Sequence, residues 1–207
     1  MKKVAVSQRI DEIPDRDEIR DALDQRLVMF LLTAGYLPIP VPNSLNSQAS
    51  GDERGLLKKW LAQVNPEAIV LSGGNDLGTY PERDQTENLL LNYAWDHQLP
   101  LLGICRGMQM MAHWTGTELH KVSGHVRNRH RLSGAIEREV NSYHEYALKN
   151  CPEEFEVLAN SEDGAIEAIQ HRSQPWEGWM WHPEREDSFC ELQLARAERL
   201  LIGEISN

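Results

Sequence analysis

The sequence predicts an α/β domain built around a mostly parallel sheet, on three observations. Short β-like apolar runs alternate with longer amphipathic stretches along the chain. With 207 residues and 41% hydrophobic residues, the chain is large enough to bury the core of one ordinary domain, expected to span residues 1–207. No internal repeat or low-complexity tract interrupts the pattern.

The elements follow in order. Val4 to Val6 reads as a strand, Asp17 to Thr33 as a helix closed by Gly35, and Leu37 to Val41 as a Pro-flanked strand. Asn43 to Gly51 is a polar loop and Glu53 to Gln63 a helix. Ala68 to Leu71 is a continuous apolar strand that runs into the turn Ser72-Gly73-Gly74-Asn75-Asp76. Glu87 to His97 reads as a helix, Leu99 to Ile104 as a buried strand, and Gly107 to Trp114 as a helix closed by Gly116. The second half is richer in strands: Ile136 to Val140, Phe155 to Leu158, Ala165 to Gln170 and Trp179 to His182. Ser188 to Ile202 is the closing helix.

Charge excludes some classes of partner. Lys+Arg total 21 against 32 Asp+Glu, a net charge of −11, which repels nucleic acid and anionic membrane over most of the surface. The start MKKVAVSQRI has no apolar core of a signal peptide, and the apolar runs are too short to span a bilayer, so a cytoplasmic protein is expected. Cys105, Cys151 and Cys190 are too few and too scattered for a disulfide framework or a four-ligand zinc site. No His/Cys/carboxylate set has ligand spacing along the chain, so no metal site is expected.

The most informative segment is Gly103-Ile104-Cys105-Arg106-Gly107, where a strand ends at a cysteine with glycines two residues before and after it. A sharp strand-to-helix turn would project the sulfur above the sheet, and the glycines remove Cβ atoms that would collide in the bend. The following helix turns its N-terminus toward the sulfur, which favours the reactive thiolate. Alone, such a cysteine has a second reading as a buried core residue. A base supports the functional reading: in His182-Pro183-Glu184 an extended backbone would point the imidazole and the carboxylate to the same side. A thiolate needs an imidazole to carry a proton, and the imidazole needs a carboxylate to orient it. Cys105, His182 and Glu184 are therefore the candidate catalytic residues. Gly73-Gly74 can bring a bare backbone N–H toward the cysteine, so Gly74 is the candidate oxyanion donor together with the N–H of Arg106.

Leu71-Ser72-Gly73-Gly74, Gly103 through Gln109 and His182-Pro183-Glu184, in this order, resemble the class I glutamine amidotransferase-like superfamily over nearly the whole chain. That resemblance implies a flavodoxin-like three-layer α/β sandwich with the cysteine on the central strand, a Cys-His-Glu triad and a γ-glutamyl thioester intermediate. It further implies that Gln109 contacts the glutamyl group and that Asn141, Ser142, Tyr143 and His144 belong to the loop holding the glutamyl α-carboxylate. Arg106 after the cysteine and Asn75-Asp76 after the glycines resemble the γ-glutamyl hydrolase branch. The amino-terminal Val6 to Ile10 and Glu18 to Asp24 stretches are most similar to γ-glutamyl-CDP-amidate hydrolases. Asn141 through Tyr146 departs from the double-histidine form of γ-glutamyl-GABA and folate-type hydrolases.

His120 to Arg131 contains four fixed positive charges, three histidines and no acid. Such a stretch captures phosphate oxygens if it faces the site, and is a solvated basic loop if it does not. Arg127, Arg129 and His130 are its candidate substrate contacts, and Arg20 on the expected first helix is a candidate for the rim. Trp179 and Trp181 are expected to wall the site. The function expected is cysteine-dependent hydrolysis of a γ-glutamyl amide, releasing glutamate from a small, anionic, nucleotide-linked conjugate such as the γ-glutamyl-CDP-amidate that the resemblance implies, without a cofactor. A glutaminase serving a partner synthetase, a hydrolase of another γ-glutamyl amine such as γ-glutamyl-GABA, and a silent sensor on the same fold are the alternatives. A homodimer is left open.

Overall fold

The computed structural model describes residues 1–46 and 55–204. The end of the expected loop at Asn43 to Gly51 and the expected helix start at Glu53 lie outside the described residues.

A nine-stranded sheet forms the centre. From one edge to the other its strands are β4 (Tyr36–Pro40), β1 (Lys2–Val6), β5 (Ala68–Leu71), β6 (Leu101–Ile104), β13 (Trp176–Trp179), β12 (Ile166–His171), β11 (Phe155–Asn160), β8 (Val126–Gly134) and β9 (Arg138–Tyr143). The pairings from β4 through β13 are parallel and those from β13 through β9 are antiparallel, so only β12 and β8 run against the common direction. Two small sheets stand apart: β2 (Arg9–Ile13) with β3 (Glu18–Ala22), and β7 (Leu119–Lys121) with β10 (Tyr146–Leu148).

Helices cover both faces, because the central strands are apolar on both sides. On one face, Val4, Val6, Val70, Leu102 and Ile104 pack with Leu27, Phe30 and Leu31 of α1 (Gln25–Thr33) and Leu200 of α5 (Glu191–Leu201). On the other, Ala5, Ile69, Leu71 and Leu101 meet α2 (Gly55–Val64), α3 (Pro81–His97) and α4 (Arg106–Trp114). Alternate residues of β1 and β5 thus feed opposite layers.

The structure corrects several expected elements. The helix expected from Asp17 begins at Gln25, where Asp24 caps it by accepting the Arg26 N–H at 2.9 Å. The preceding residues pair as a hairpin because the turn at Pro14–Arg16, closed by Asp17 at φ 51°, reverses the chain and sets Glu18–Ala22 against Arg9–Ile13. Arg20 is therefore a strand residue, exposed and bonded to Glu18. Helix α3 starts six residues earlier than Glu87, with Pro81 in its first turn and Glu82 and Asp84 at its positive end. The basic stretch from His120 is not a loop but contributes to β7 and β8. Met180 to His182 lies beyond the end of β13, and Trp179 and Trp181 are buried core residues stacked 5.4 Å apart rather than walls of a pocket.

Glycine is required where α4 meets β5. A Cβ on Gly107 would stand 2.2 Å from the Leu71 carbonyl oxygen, and one on Gly103 would stand 2.5 Å from Met111 Sδ. Gly116, at φ +88°, has nothing within 4 Å of such an atom. Gly107→Ala is expected to destabilise the fold by about 3 kcal/mol or more through backbone displacement, and Gly116→Ala by about 1 kcal/mol through its left-handed conformation alone. Urea unfolding midpoints of the two variants measure the difference.

Candidate active site

Three strand ends assemble the site. Leu71 pairs with Gly103, Gly103 with Gly178 and Ile104 with Trp179, so β5, β6 and β13 end near one level and their following segments meet above the sheet. Cys105 follows β6 directly and donates its N–H to the Trp179 carbonyl at 2.7 Å. Its φ of 50° and ψ of −104° are strained for a non-glycine residue, and it sits as the N-cap of α4. The side chain is nearly buried.

His182 reaches this cysteine from beyond β13. Its imidazole interacts electrostatically with Cys105, and Nδ1 lies 2.6 Å from Oε1 of Glu184. The two residues are joined through a 3-10 turn at Pro183–Arg185 rather than through strand alternation. Pro183 suits the first position of that turn because its φ is preset and its missing N–H has no partner to lose. Gly73 lies under the ring: a Cβ there would be 2.6 Å from His182 Cε1. Gly74 takes φ +103°, which a side chain tolerates poorly, and Arg106 is the first residue of α4, so its N–H is outside the helical ladder.

The electrostatics of the pair are unequal. Burial disfavours charge on His182, yet the neighbouring charges of Glu184 and Cys105 outweigh it and raise the imidazole pKa to about 9. A nucleophile, a base and an orienting carboxylate in this order can carry out acyl transfer through a thioester.

The expected glutamyl-binding residues divide. Asn141 holds the His182 backbone on both sides, donating from Nδ2 to its carbonyl at 2.7 Å and accepting its N–H at 3.0 Å. Ser142 donates its hydroxyl to the His125 carbonyl at 2.6 Å. His144 is turned away, toward Glu167 at 3.2 Å. Asn141, Ser142 and Tyr143 are strand residues of β9 rather than loop residues. Tyr143 alone among the four is exposed, with its ring edge-on to His182 at 5.8 Å and under the Arg185 guanidinium at 5.0 Å. Gln109 donates to the Tyr146 carbonyl at 3.0 Å.

A pocket of about 220 Å³ opens against His182, between the β2–β3 hairpin and the 3-10 turn. Its guanidiniums are Arg9, paired with Asp11 at 2.7 Å, and Arg185, 3.7 Å from Asp24 and from Glu184; Arg20, Arg127, Arg129 and His130 do not line it. Arg127 is exposed, at φ 53°, and Arg129 is paired with Glu139 and, at 3.1 Å, with Glu186. His130 is buried against His125.

A buried polar network supports the glycine turn, and no motif in the sequence points to it. Glu87 accepts from Ser7 Oγ at 2.8 Å, from Arg83 Nε at 3.1 Å and from Arg106. Arg83 Nη2 in turn donates to the carbonyls of Ser72 and Gly73, at 2.8 and 3.0 Å. Asn75 bonds both the N–H and the carbonyl of Ile10, tying the turn to β2. The signal available in the sequence was the Arg83/Glu87 spacing of four on a helix, which ordinarily marks a solvated pair.

The Glutamine amidotransferase class-I family model matches residues 22–193. The chain belongs to this family. Like its family, it is an enzyme of the amide-bond hydrolase and amidotransferase class. It is 34% identical over 145 residues to the γ-glutamyl-CDP-amidate hydrolase of Campylobacter jejuni, covering 67% of this chain and 72% of that protein. To a glutamine-hydrolyzing GMP synthase subunit of Methanococcus maripaludis it is 30% identical over 162 residues, 72% and 77% of the two chains. A solved structure of a candidate GMP synthase subunit from Thermoplasma acidophilum superposes with a TM-score of 0.69 at 20% identity, over 97% of this chain and 92% of that one. This amidotransferase fold is thus the three-layer arrangement expected from the motifs. Among the described residues no helix is long and apolar enough to cross a membrane.

The raised His182 pKa carries a stability signature. The folded value of about 9 exceeds the unfolded value near 6.5, so the imidazolium contribution is present in full below pH 6.5 and is lost as pH rises through 9. Urea midpoints are expected to fall across that window, and the Glu184→Gln variant to show a markedly flatter profile.

Proposed function

We propose that this enzyme hydrolyses a γ-glutamyl amide whose leaving group is an anionic, nucleotide-linked amidate. The observation that carries the hydrolytic part is the alignment of Cys105, His182 and Glu184 above the strand ends, with the imidazole seated on Gly73. The Cys105 thiolate attacks the γ-carbonyl carbon, and the oxyanion is held by the N–H groups of Gly74 and Arg106. His182 gives its proton to the departing nitrogen as the C–N bond breaks, leaving a thioester. It then takes a proton from water, which cleaves the thioester and frees glutamate and the thiolate. Tyr143 and Gln109 border the glutamyl side.

The leaving group lies in the pocket between the hairpin and Arg185. Similarity to the Campylobacter jejuni hydrolase supports the nucleotide-linked amidate, and Arg9 and Arg185 are the charges available to its phosphates. A second reading, a glutaminase that passes ammonia to a separate synthetase, is supported by similarity to the Methanococcus maripaludis GMP synthase chain. Glutamate release from a panel of γ-glutamyl amides, with free glutamine in parallel, separates the two. Turnover of the phosphorylated conjugate by the isolated chain supports the first; turnover of glutamine only when a synthetase is added would replace it with the second.

Cys105→Ala is expected to lower kcat by at least about 10⁴-fold and His182→Ala by a similar factor, with Glu184→Gln less affected. The double variant Cys105→Ala/His182→Ala should fall no further than either single one, since the residues act as a unit. Steady-state kinetics on the best substrate of the panel test this.

Arg185→Gln is expected to raise KM for an anionic conjugate by roughly 10-fold, the worth of one partly buried charge-assisted contact, and Arg9→Gln by less, because its guanidinium is exposed and paired with Asp11. Arg127→Gln combined with Arg129→Gln should leave KM within about threefold, as solvated ion pairs contribute little. KM values for a charged and an uncharged γ-glutamyl amide, compared across these variants, distinguish pocket from surface.

A further inference from the structure

His125, His130, His144 and Glu167 are all buried, and one ligand atom from each lies within 4.8 Å of the others. They come from four places in the chain: the residue before β8, β8 itself, the segment after β9 and β12. No spacing pattern in the sequence joins them; cross-strand packing does.

The hydrogen-bond directions around this cluster matter most. His144 Nδ1 lies 3.0 Å from the Tyr146 carbonyl, which can only accept, so Nδ1 carries the proton and the neutral ring turns the Nε2 lone pair inward. His125 Nε2 lies 2.8 Å from an Asp163 carboxylate oxygen, which likewise fixes the proton on Nε2 and turns the Nδ1 lone pair inward. Glu167 brings Oε1 to the same point. Three electron-pair donors therefore converge: His125 Nδ1 to His144 Nε2 at 3.3 Å, His144 Nε2 to Glu167 Oε1 at 3.2 Å, and His125 Nδ1 to Glu167 Oε1 at 3.5 Å. Both Nε2 of His130 and Oε2 of Glu167 are buried without a hydrogen-bond partner.

We propose that these four side chains form a tetrahedral divalent-metal site of the zinc type, separate from the Cys105 centre. Zinc bonds of about 2.0–2.1 Å to nitrogen and oxygen place tetrahedral ligands about 3.3–3.4 Å apart, which is the spacing of the three inner atoms. Three imidazoles and a carboxylate suit zinc better than calcium or magnesium, which take oxygen ligands. The outer partners have the form of a supporting shell: Asp163 behind His125, held by the Ser161 hydroxyl at 2.6 Å, and the Tyr146 carbonyl behind His144. With four protein ligands the site is closed, so the metal fastens strands instead of activating water. It joins β8 and β12 to the segment that follows Tyr143 and Asn141.

The test uses the full chain purified without a histidine tag and treated with a chelator. Titration with Zn²⁺, metal analysis after dialysis and thermal melting are expected to give one tightly held ion per chain and a raised Tm. His130→Gln should weaken Zn²⁺ binding by more than about 100-fold, and Asp163→Asn by about 10–100-fold as the loss of a supporting partner. If His130→Gln fails to fold, Co²⁺ loaded into the wild-type protein gives a second readout, with the intense visible absorption of a four-coordinate centre expected. Absence of a retained ion with an unmoved Tm, a pale six-coordinate Co²⁺ spectrum, or undiminished Zn²⁺ affinity in folded His130→Gln would each overturn the assignment.

Discussion

Three neighbouring parallel strands ending at one level are the constraint on which the rest of this molecule depends. The Leu71–Gly103 and Gly103–Gly178 pairings bring the exits of β5, β6 and β13 together, and each exit carries one component of the candidate centre. The approach is so close that side chains are excluded from it: Gly107 touches the Leu71 carbonyl, Gly178 faces Met108, and Gly73 lies beneath the His182 ring. The strained backbone of Cys105 is held in place by these contacts on both sides of the turn. Packing thus supplies the accuracy that the proposed acyl transfer needs.

Polar groups supply the direction. Glu87 is shared between Arg83 and Arg106, two guanidiniums so deeply buried that desolvation, with repulsion from neighbouring arginines, lowers each pKa to about 9. Such a buried charged network adds little net stability, because desolvation consumes most of the attraction. It joins the end of β1 through Ser7, the carbonyls of the glycine turn, α3 and α4 into one unit. On the other side, Asn141 performs the same service for His182, linking the antiparallel half of the sheet to the imidazole. The two halves of the molecule therefore meet at the same few side chains.

The parts of this structure that were legible in the sequence are those where one physical signal dominates. Continuous apolar runs marked Ala68–Leu71 and Leu101–Ile104 because both faces of those strands are buried, and the glycines around Cys105 marked a bend that no larger residue permits. The hairpin at Arg9–Ala22 was not legible, since its half-exposed strands carry charges at spacings that also fit a helix face. β8 was hidden for a related reason: most of its side chains are exposed and basic, so it reads as a loop. Arg83 and Glu87 resembled an ordinary surface pair, and only the tertiary contact with Arg106 reveals that they are interior. The side-chain roles of Asn141, Ser142 and His144 were equally inaccessible, because a strand residue's facing depends on a register that composition does not encode.

The order of the strands in the sheet also differs from their order in the chain, and this bears on how the molecule is made. β6 receives β5 on one edge early, but its other neighbour, β13, is among the last strands to be synthesised. At roughly 5–20 residues per second, the edge of β6 waits on the order of ten seconds for its partner. During that interval an apolar strand with unpaired N–H and carbonyl groups is open to pairing with another chain. His182 and Glu184 emerge later still, so a nascent chain carries the thiol well before it carries the groups proposed to activate it. β6, interior in the finished sheet, is therefore a strand in need of cover on the ribosome.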